Sequence, residues 1–144
     1  MTMFKTLAVA VAATAFAVLA PAAAEAAPAA PAAPSSPAAP AADGLLHVYY
    51  GFNYIDECNA WSGNVANWGS CRNATASLWN NGYTDDVYVY YSPNYANARR
   101  GICRGVGLGD LTQWPFEQNE GPGSGQALFD NIASSHWQYI AGCH

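Results

Sequence analysis

"VYYGFNYID", residues 48–56, returns as "VYYSPNYAN", residues 89–97, after a shift of 89 − 48 = 41 positions. Each copy holds two tyrosines five apart and an Asx residue two further on: Tyr49, Tyr54 and Asp56, then Tyr90, Tyr95 and Asn97. Two rings at that spacing can stack across a folded-over hairpin, while the Asx residue takes left-handed backbone that most residues resist. Downstream, "RNATASLW" (72–79) aligns with "DNIASSHW" (130–137) at a shift of 130 − 72 = 58. The second copy then carries 58 − 41 = 17 extra residues, placed in the glycine-rich stretch from Gly105 to Gly125. A period near forty residues marks one supersecondary unit built twice. Repeat one covers 45–83 and repeat two 84–144.

The unit is β. "LLHVYY" and "DVYVYY" are rich in β-branched and aromatic residues. In the second, Val87, Val89 and Tyr91 share one face and Tyr88 and Tyr90 the other. "ASLW" (76–79) reads as a further strand, and Asn81-Gly82 after it offers the positive φ angles of a tight turn. Proline at 93, 115 and 122 breaks long helices, and beyond residue 26 no segment sustains a 3.6-residue period. The domain is expected to be all-β, with short strands and many turns.

The chain ahead of it reads differently. Residues 1–26 combine Lys5, an apolar run from Leu7 to Ala20 and the small-residue triplet Ala24-Glu25-Ala26, the pattern of a secretory signal peptide. That run falls short of the roughly 20 apolar residues a permanent span needs, so no stable membrane anchoring is expected. Residues 27–43 are an Ala/Pro-rich linker, expected to be disordered, whose regular prolines favour extended polyproline-type chain. The domain then occupies 44–144, and the chain is expected outside the cell, as a monomer.

Charge and cysteine narrow the function. From residue 45 onward eight acids face four arginines, with no lysine, for a net charge of −4. Such a surface repels phosphate backbones, which excludes nucleic acid as a natural partner. Cys58, Cys71, Cys103 and Cys143 are an even set in an exported domain, so two disulfides are expected. Three pairings are open, with Cys58–Cys71 plus Cys103–Cys143 preferred. His47, His136 and His144 sit in no nucleophile or metal motif, "GVGLGD" lacks the flanking strand and helix of a dinucleotide loop, and Asp85-Asp86 reads as a solvated turn. No enzyme is expected, and no cofactor is required.

The aromatic-x4-aromatic-x pattern resembles the βγ-crystallin Greek-key motif, with Asp56 and Asn97 standing where that family prefers glycine. The resemblance implies a double Greek key, two packed antiparallel sheets of four strands each. More narrowly, an export signal, an aromatic first strand, "SLWNNGYTDDVYVYY", a central "GICRG" and a late "DNIASSHW" are similar to secreted bacterial peptidase inhibitors of βγ-crystallin fold. These metalloproteinase-inhibitor-like proteins form family thirty-six of the inhibitor classification, and the likeness spans roughly 45–140. It implies a secreted inhibitor whose partner is an extracellular peptidase, a metalloproteinase by class. Inhibition needs a rigid, extended loop that loses little entropy on docking. "ARRGICRGVG" (98–107), anchored by Cys103, is the candidate: Arg99, Arg100, Gly101, Ile102, Cys103 and Arg104. Thermolysin-like enzymes favour an apolar residue after the scissile bond, which points to Ile102. The bland alternative is an edge strand with solvated arginines.

The same resemblance suggests calcium. Calcium-binding βγ-crystallins carry Asx-Asx-x-x-Ser/Thr-Ser before a motif's last strand, and Asp130, Asn131, Ser134 and Ser135 fit it in order. Calcium takes six to eight oxygens, and Asn73 of the other repeat is the further candidate ligand. The partner loop carries Arg72 and Ala76 where an acid and a hydroxyl are wanted, so at most one site is expected. Asp and Asn also start turns through their own hydrogen bonds, which needs no metal. Three functions are therefore open: peptidase inhibitor first, a calcium-binding structural or stress module second, and a carbohydrate-binding surface of tyrosines and tryptophans third.

Overall fold

A computed structural model describes residues 41–143. The expected signal peptide and all but the last three residues of the linker lie outside the described residues. Seven strands follow in order: β1 Leu45–Tyr49, β2 Glu57–Trp61, β3 Ser77–Asn81, β4 Asp86–Ser92, β5 Ala96–Ile102, β6 Gly107–Leu108 and β7 Ser134–Gln138. The only helical elements among the described residues are three-residue 3₁₀ turns.

Two antiparallel sheets form, one in the order β2-β1-β3-β6 and the other β5-β4-β7. The first draws three strands from repeat one and β6 from repeat two. Repeat one returns the exchange, because Val65 bridges Ser135 on the free edge of β7. The second sheet thus has three strands and one bridge where four strands were expected. The short third element of each repeat crosses to the other sheet, as a pair of Greek keys requires.

Alternation explains the packing. Leu46, Val48, Leu78, Val87 and Val89 point inward and are fully buried, joined by Trp68, Ala98, Ile102, Leu108, Leu111, Phe116, Leu128 and Ile132. Tyr91 falls on the Val87 and Val89 side as expected, its ring edge-on to Phe116 at 5.8 Å. His47, Tyr49 and Trp79 stand on the opposite face of the first sheet, as Tyr88 and Tyr90 do on the second. Both disulfides follow the preferred pairing, Cys58–Cys71 and Cys103–Cys143, with Cα atoms 5.8 and 5.3 Å apart.

The two hairpins share one backbone. Positive φ occurs at Asn53, Tyr54 and Asp56, and again at Asn94, Tyr95 and Asn97, in the same register as the sequence repeat. Left-handed backbone was expected only at the Asx residue after the second tyrosine. A tyrosine there is sterically costly, and the surroundings of both hold it. Ser77 Oγ accepts from the Tyr54 amide at 3.0 Å and donates to the Gly51 carbonyl at 2.6 Å. Ser134 Oγ does the same with the Tyr95 amide at 3.1 Å and the Ser92 carbonyl at 2.7 Å. The paired rings meet edge-on, Tyr49 with Tyr54 at 5.7 Å and Tyr90 with Tyr95 at 6.0 Å.

Two expectations are corrected here. Asn81 and Gly82 do not form a positive-φ turn: neither has φ > 0, and β3 and β4 belong to different sheets. Gly82 is needed for space, since a Cβ there would lie 2.5 Å from Trp137 Cζ3. Asp86 is not a solvated turn residue. It is fully buried at the start of β4, its carboxylate accepting from the amides of Arg104 and Ile140, both at 2.9 Å.

Candidate functional site

The calcium loops can be built residue by residue. Tyr49 pairs with Ser77 in the first sheet and Tyr90 with Ser134 in the second. The Asn73 amide donates to the Ile132 carbonyl at 2.9 Å, and the Asp130 amide to the Thr75 carbonyl at 3.2 Å. These reciprocal bonds relate the repeats by a shift of 134 − 77 = 57, one less than the similarity of "RNATASLW" and "DNIASSHW" suggested. Matching tryptophans set the wrong register; the position in repeat two equivalent to Trp79 is His136.

In the corrected register, the fifth positions of both loops are alanines, Ala76 and Ala133, and the first are Arg72 and Phe129. Ser134 falls on the sixth position, where its hydroxyl already makes the two hairpin bonds. Ser135 Oγ accepts from Trp68 Nε1 at 3.0 Å, and Asn131 Nδ2 donates to the Ala127 carbonyl at 3.0 Å. Asn73 and Asp130 remain, both exposed and both at positive φ. Slight burial of its carboxyl pushes Asp130 above the usual carboxylate range. The bond from Nδ2 leaves Asn131 Oδ1 open, so a cation that wants six to eight oxygens finds three side chains with uncommitted oxygens, Asn73, Asn131 and Asp130. By themselves these side chains supply only part of a calcium cage.

The arginine segment is also placed differently than expected. Residues 96–102 form strand β5, not a projecting loop, and Ile102 is 2% exposed, part of the core. The Arg99 guanidinium lies over the Tyr88 ring at 4.5 Å and pairs with Glu117 and Glu120. Arg100 donates to the Pro115 carbonyl at 2.7 Å and covers the Trp114 ring at 4.9 Å. The Glu117 amide donates to the Arg99 carbonyl and the Ala98 amide to the Pro122 carbonyl, so the glycine-rich insertion closes the outer edge of β5. Gly101 packs against Ile140, and Cys103 is in its disulfide. Arg104 alone is exposed at the end of this run, donating to the Tyr83 carbonyl at 3.1 Å.

What projects instead is the first folded hairpin. Tyr50, Phe52, Tyr54 and Ile55 are 44, 43, 42 and 61% exposed, four large apolar side chains in one short turn. The turn is nevertheless held from several sides. Amides of Tyr50 and Gly51 donate to the carbonyls of Asp56 and Ile55, and the Asn53 amide donates to Gly109 at 2.8 Å. Phe52 stacks on Phe129 at 5.5 Å, and the Cys58–Cys71 disulfide follows just beyond Asp56. Ile55 itself has extended backbone, φ −100° and ψ 146°. Sequence patterning treated the tip as framework; its clue was four apolar residues in a turn, where polar ones are usual.

One titrating cluster stands beside this hairpin. His47 Nδ1 meets the Glu57 carboxylate at 2.5 Å and Nε2 meets Asp43 at 2.8 Å. Burial opposes its charge, but the bonds to Glu57 and Asp43 outweigh that and raise it above the ordinary histidine value. Asp43 is held below the usual carboxylate range, its slight burial outweighed by the same bond and by the Leu45 amide. With a carboxylate on each ring nitrogen, His47 is an electrostatic clasp between Asp43 and Glu57.

The fold has a solved counterpart. The chain matches a structure described as "Evolution of the eye lens beta-gamma-crystallin domain fold", with a TM-score of 0.53 and 16% identity over 74% of this chain and 95% of that one. No family model matches the sequence, and no curated protein does. The protein has a βγ-crystallin-like fold, an all-β double Greek key stapled by two disulfides.

Proposed function

We propose that the protein is exported and inhibits an extracellular peptidase, a metalloproteinase by class, through the tip of its first hairpin. The observation that carries this reading is Ile55: a 61% exposed apolar side chain on extended backbone whose neighbours are tied on both sides. A turn tied in this way, with left-handed Tyr54 and Asp56 on either side of Ile55, loses little conformational freedom on docking, which strengthens binding. Ile55 takes the role expected of Ile102, an apolar side chain for the pocket that follows the scissile bond, with Phe52 and Tyr54 as flanking contacts. Arg99 and Arg100 then serve the fold.

The test is inhibition of a thermolysin-type enzyme by the mature domain. Ile55→Asp is expected to weaken inhibition at least about 30-fold, the scale of a hot-spot side chain worth about 2 kcal/mol, whereas Arg100→Glu leaves it within about threefold. Equal inhibition by wild type and Ile55→Asp rejects the hairpin. No inhibition across metallo-, serine and cysteine peptidases rejects the function.

A further inference from the structure

At the end of the sandwich opposite the hairpin tips, an open cleft of about 160 Å³ is lined by Gly44, Ser62, Tyr83, Thr84, Asp85 and Trp137. Its walls are two aromatic rings set by two glycines. A Cβ on Gly44 would lie 2.5 Å from the Tyr83 ring, and one on Gly82 2.5 Å from the Trp137 ring, so the chain lies flat against both. The indole is locked: its Nε1 donates to the Gly63 carbonyl at 3.1 Å and its backbone amide to Asn64 Oδ1 at 2.8 Å. Tyr83 is 65% exposed. Ser62, Thr84 and Asp85 are exposed, and Asp85 enters no ion pair among the described residues.

Charge selects the ligand. The Asp85 carboxylate repels an anionic group. One carboxylate among hydroxyls and two aromatic rings gives a cation a single charged ligand in this lining. What remains complementary is a neutral molecule with an apolar ring face and hydroxyls along its rim. Hydroxyls of Ser62, Thr84 and Tyr83 can each donate or accept, and Asp85 accepts. Pockets for drug-sized ligands start at about 300 Å³, so this smaller cleft holds one ring.

We propose that this cleft binds a single pyranose unit of a neutral saccharide, ring face against Tyr83, edge against Trp137 and hydroxyls on Asp85, Ser62 and Thr84. The site lies apart from the inhibitory hairpin and would tether the module to a polysaccharide surface while that hairpin stays free.

The experiment follows the Trp137 indole N–H by NMR while the mature protein is titrated with glucose, galactose, N-acetylglucosamine and their β-linked disaccharides. At least one sugar is expected to saturate in the millimolar range, with affinity unchanged within twofold between 50 and 500 mM NaCl, because no charge pair is made. Asp85→Asn and Tyr83→Ala should each weaken it about tenfold with melting temperatures kept, while Ile55→Asp binds sugar normally. Silence of Trp137 toward every sugar at 50 mM overturns the proposal. So does salt-sensitive binding of N-acetylarginine amide in preference to sugars, which would make this a cation pocket. Inhibition by Asp85→Asn should equal wild type, so either reading can fail without the other.

Discussion

The two hairpins, residues 48–56 and 89–97, share a backbone and differ in surface. Both keep a tyrosine pair, the same three left-handed residues and a serine that stitches the turn shut. In repeat one the turn carries Gly51, Phe52 and Asn53 and exposes apolar side chains; in repeat two Ser92, Pro93 and Asn94 present little apolar surface. Residues that set φ and satisfy buried amides cannot drift, since an unmet buried group costs about 1–3 kcal/mol. Side chains aimed at water carry no such penalty, and divergence collects there. The outer faces divide similarly: His47 sits between two acids in the first sheet, while the second carries Tyr88 under Arg99.

The largest test of this equivalence is the disulfides. Cys58–Cys71 spans 13 residues and Cys103–Cys143 spans 40. Loop-closure entropy gives about 3 kcal/mol for the first and about 4 kcal/mol for the second. Denaturant unfolding of the two double Cys→Ala variants should therefore rank the second as the greater loss. The reverse order would mean that the first hairpin depends on its staple for more than chain entropy.

Ser77→Ala and Ser134→Ala come next. Each strips one part-buried amide and one carbonyl of the same hydroxyl, and each should cost about 1–3 kcal/mol. The two values should agree within about 1 kcal/mol, the scale of a single hydrogen bond. A larger gap breaks the equivalence at its structural centre.

A smaller effect separates the outer faces. The folded-state pKa of His47 is raised, so its stabilisation is fully present below the unfolded value of about 6.5 and is lost as pH rises through the folded value. Asp43 is shifted down, so its share is present above its unfolded value and disappears as pH falls through the folded one. Melting temperature scanned from pH 5 to 9 should decline for wild type and flatten for His47→Gln. An unchanged slope in the variant would place the pH dependence elsewhere.

The smallest expectation is a null one. Five millimolar calcium should move the melting temperature by less than about 1 °C, because a ligand of the native state must stabilise it. A rise of several degrees would show that Asn73 and Asp130 recruit backbone oxygens.

Much of this fold was legible in advance because it is written in period-two alternation, in tyrosine spacing and in Asx residues that tolerate left-handed backbone. The pairing of Cys58 with Cys71 was the preferred one of three that the chain left open, and the structure selects it. The site was not legible for identifiable reasons. The similarity of "SLW" to "SHW" pulled the repeat register one residue off and made Ser134 look like a free ligand. Ile102 sat among exposed arginines in sequence but alternates inward on a strand. Asp86 looked solvated because nothing local signals that Arg104 and Ile140 will aim their amides at it.

From sequence alone came the duplication, the β class, the cysteine staples and the acidic surface, all properties of residue type and short-range spacing. Tertiary structure decided which hydroxyls are spent on backbone amides, which arginines lie flat on rings and which turn protrudes. Those outcomes depend on partners far along the chain, and no local pattern encodes a distance in space.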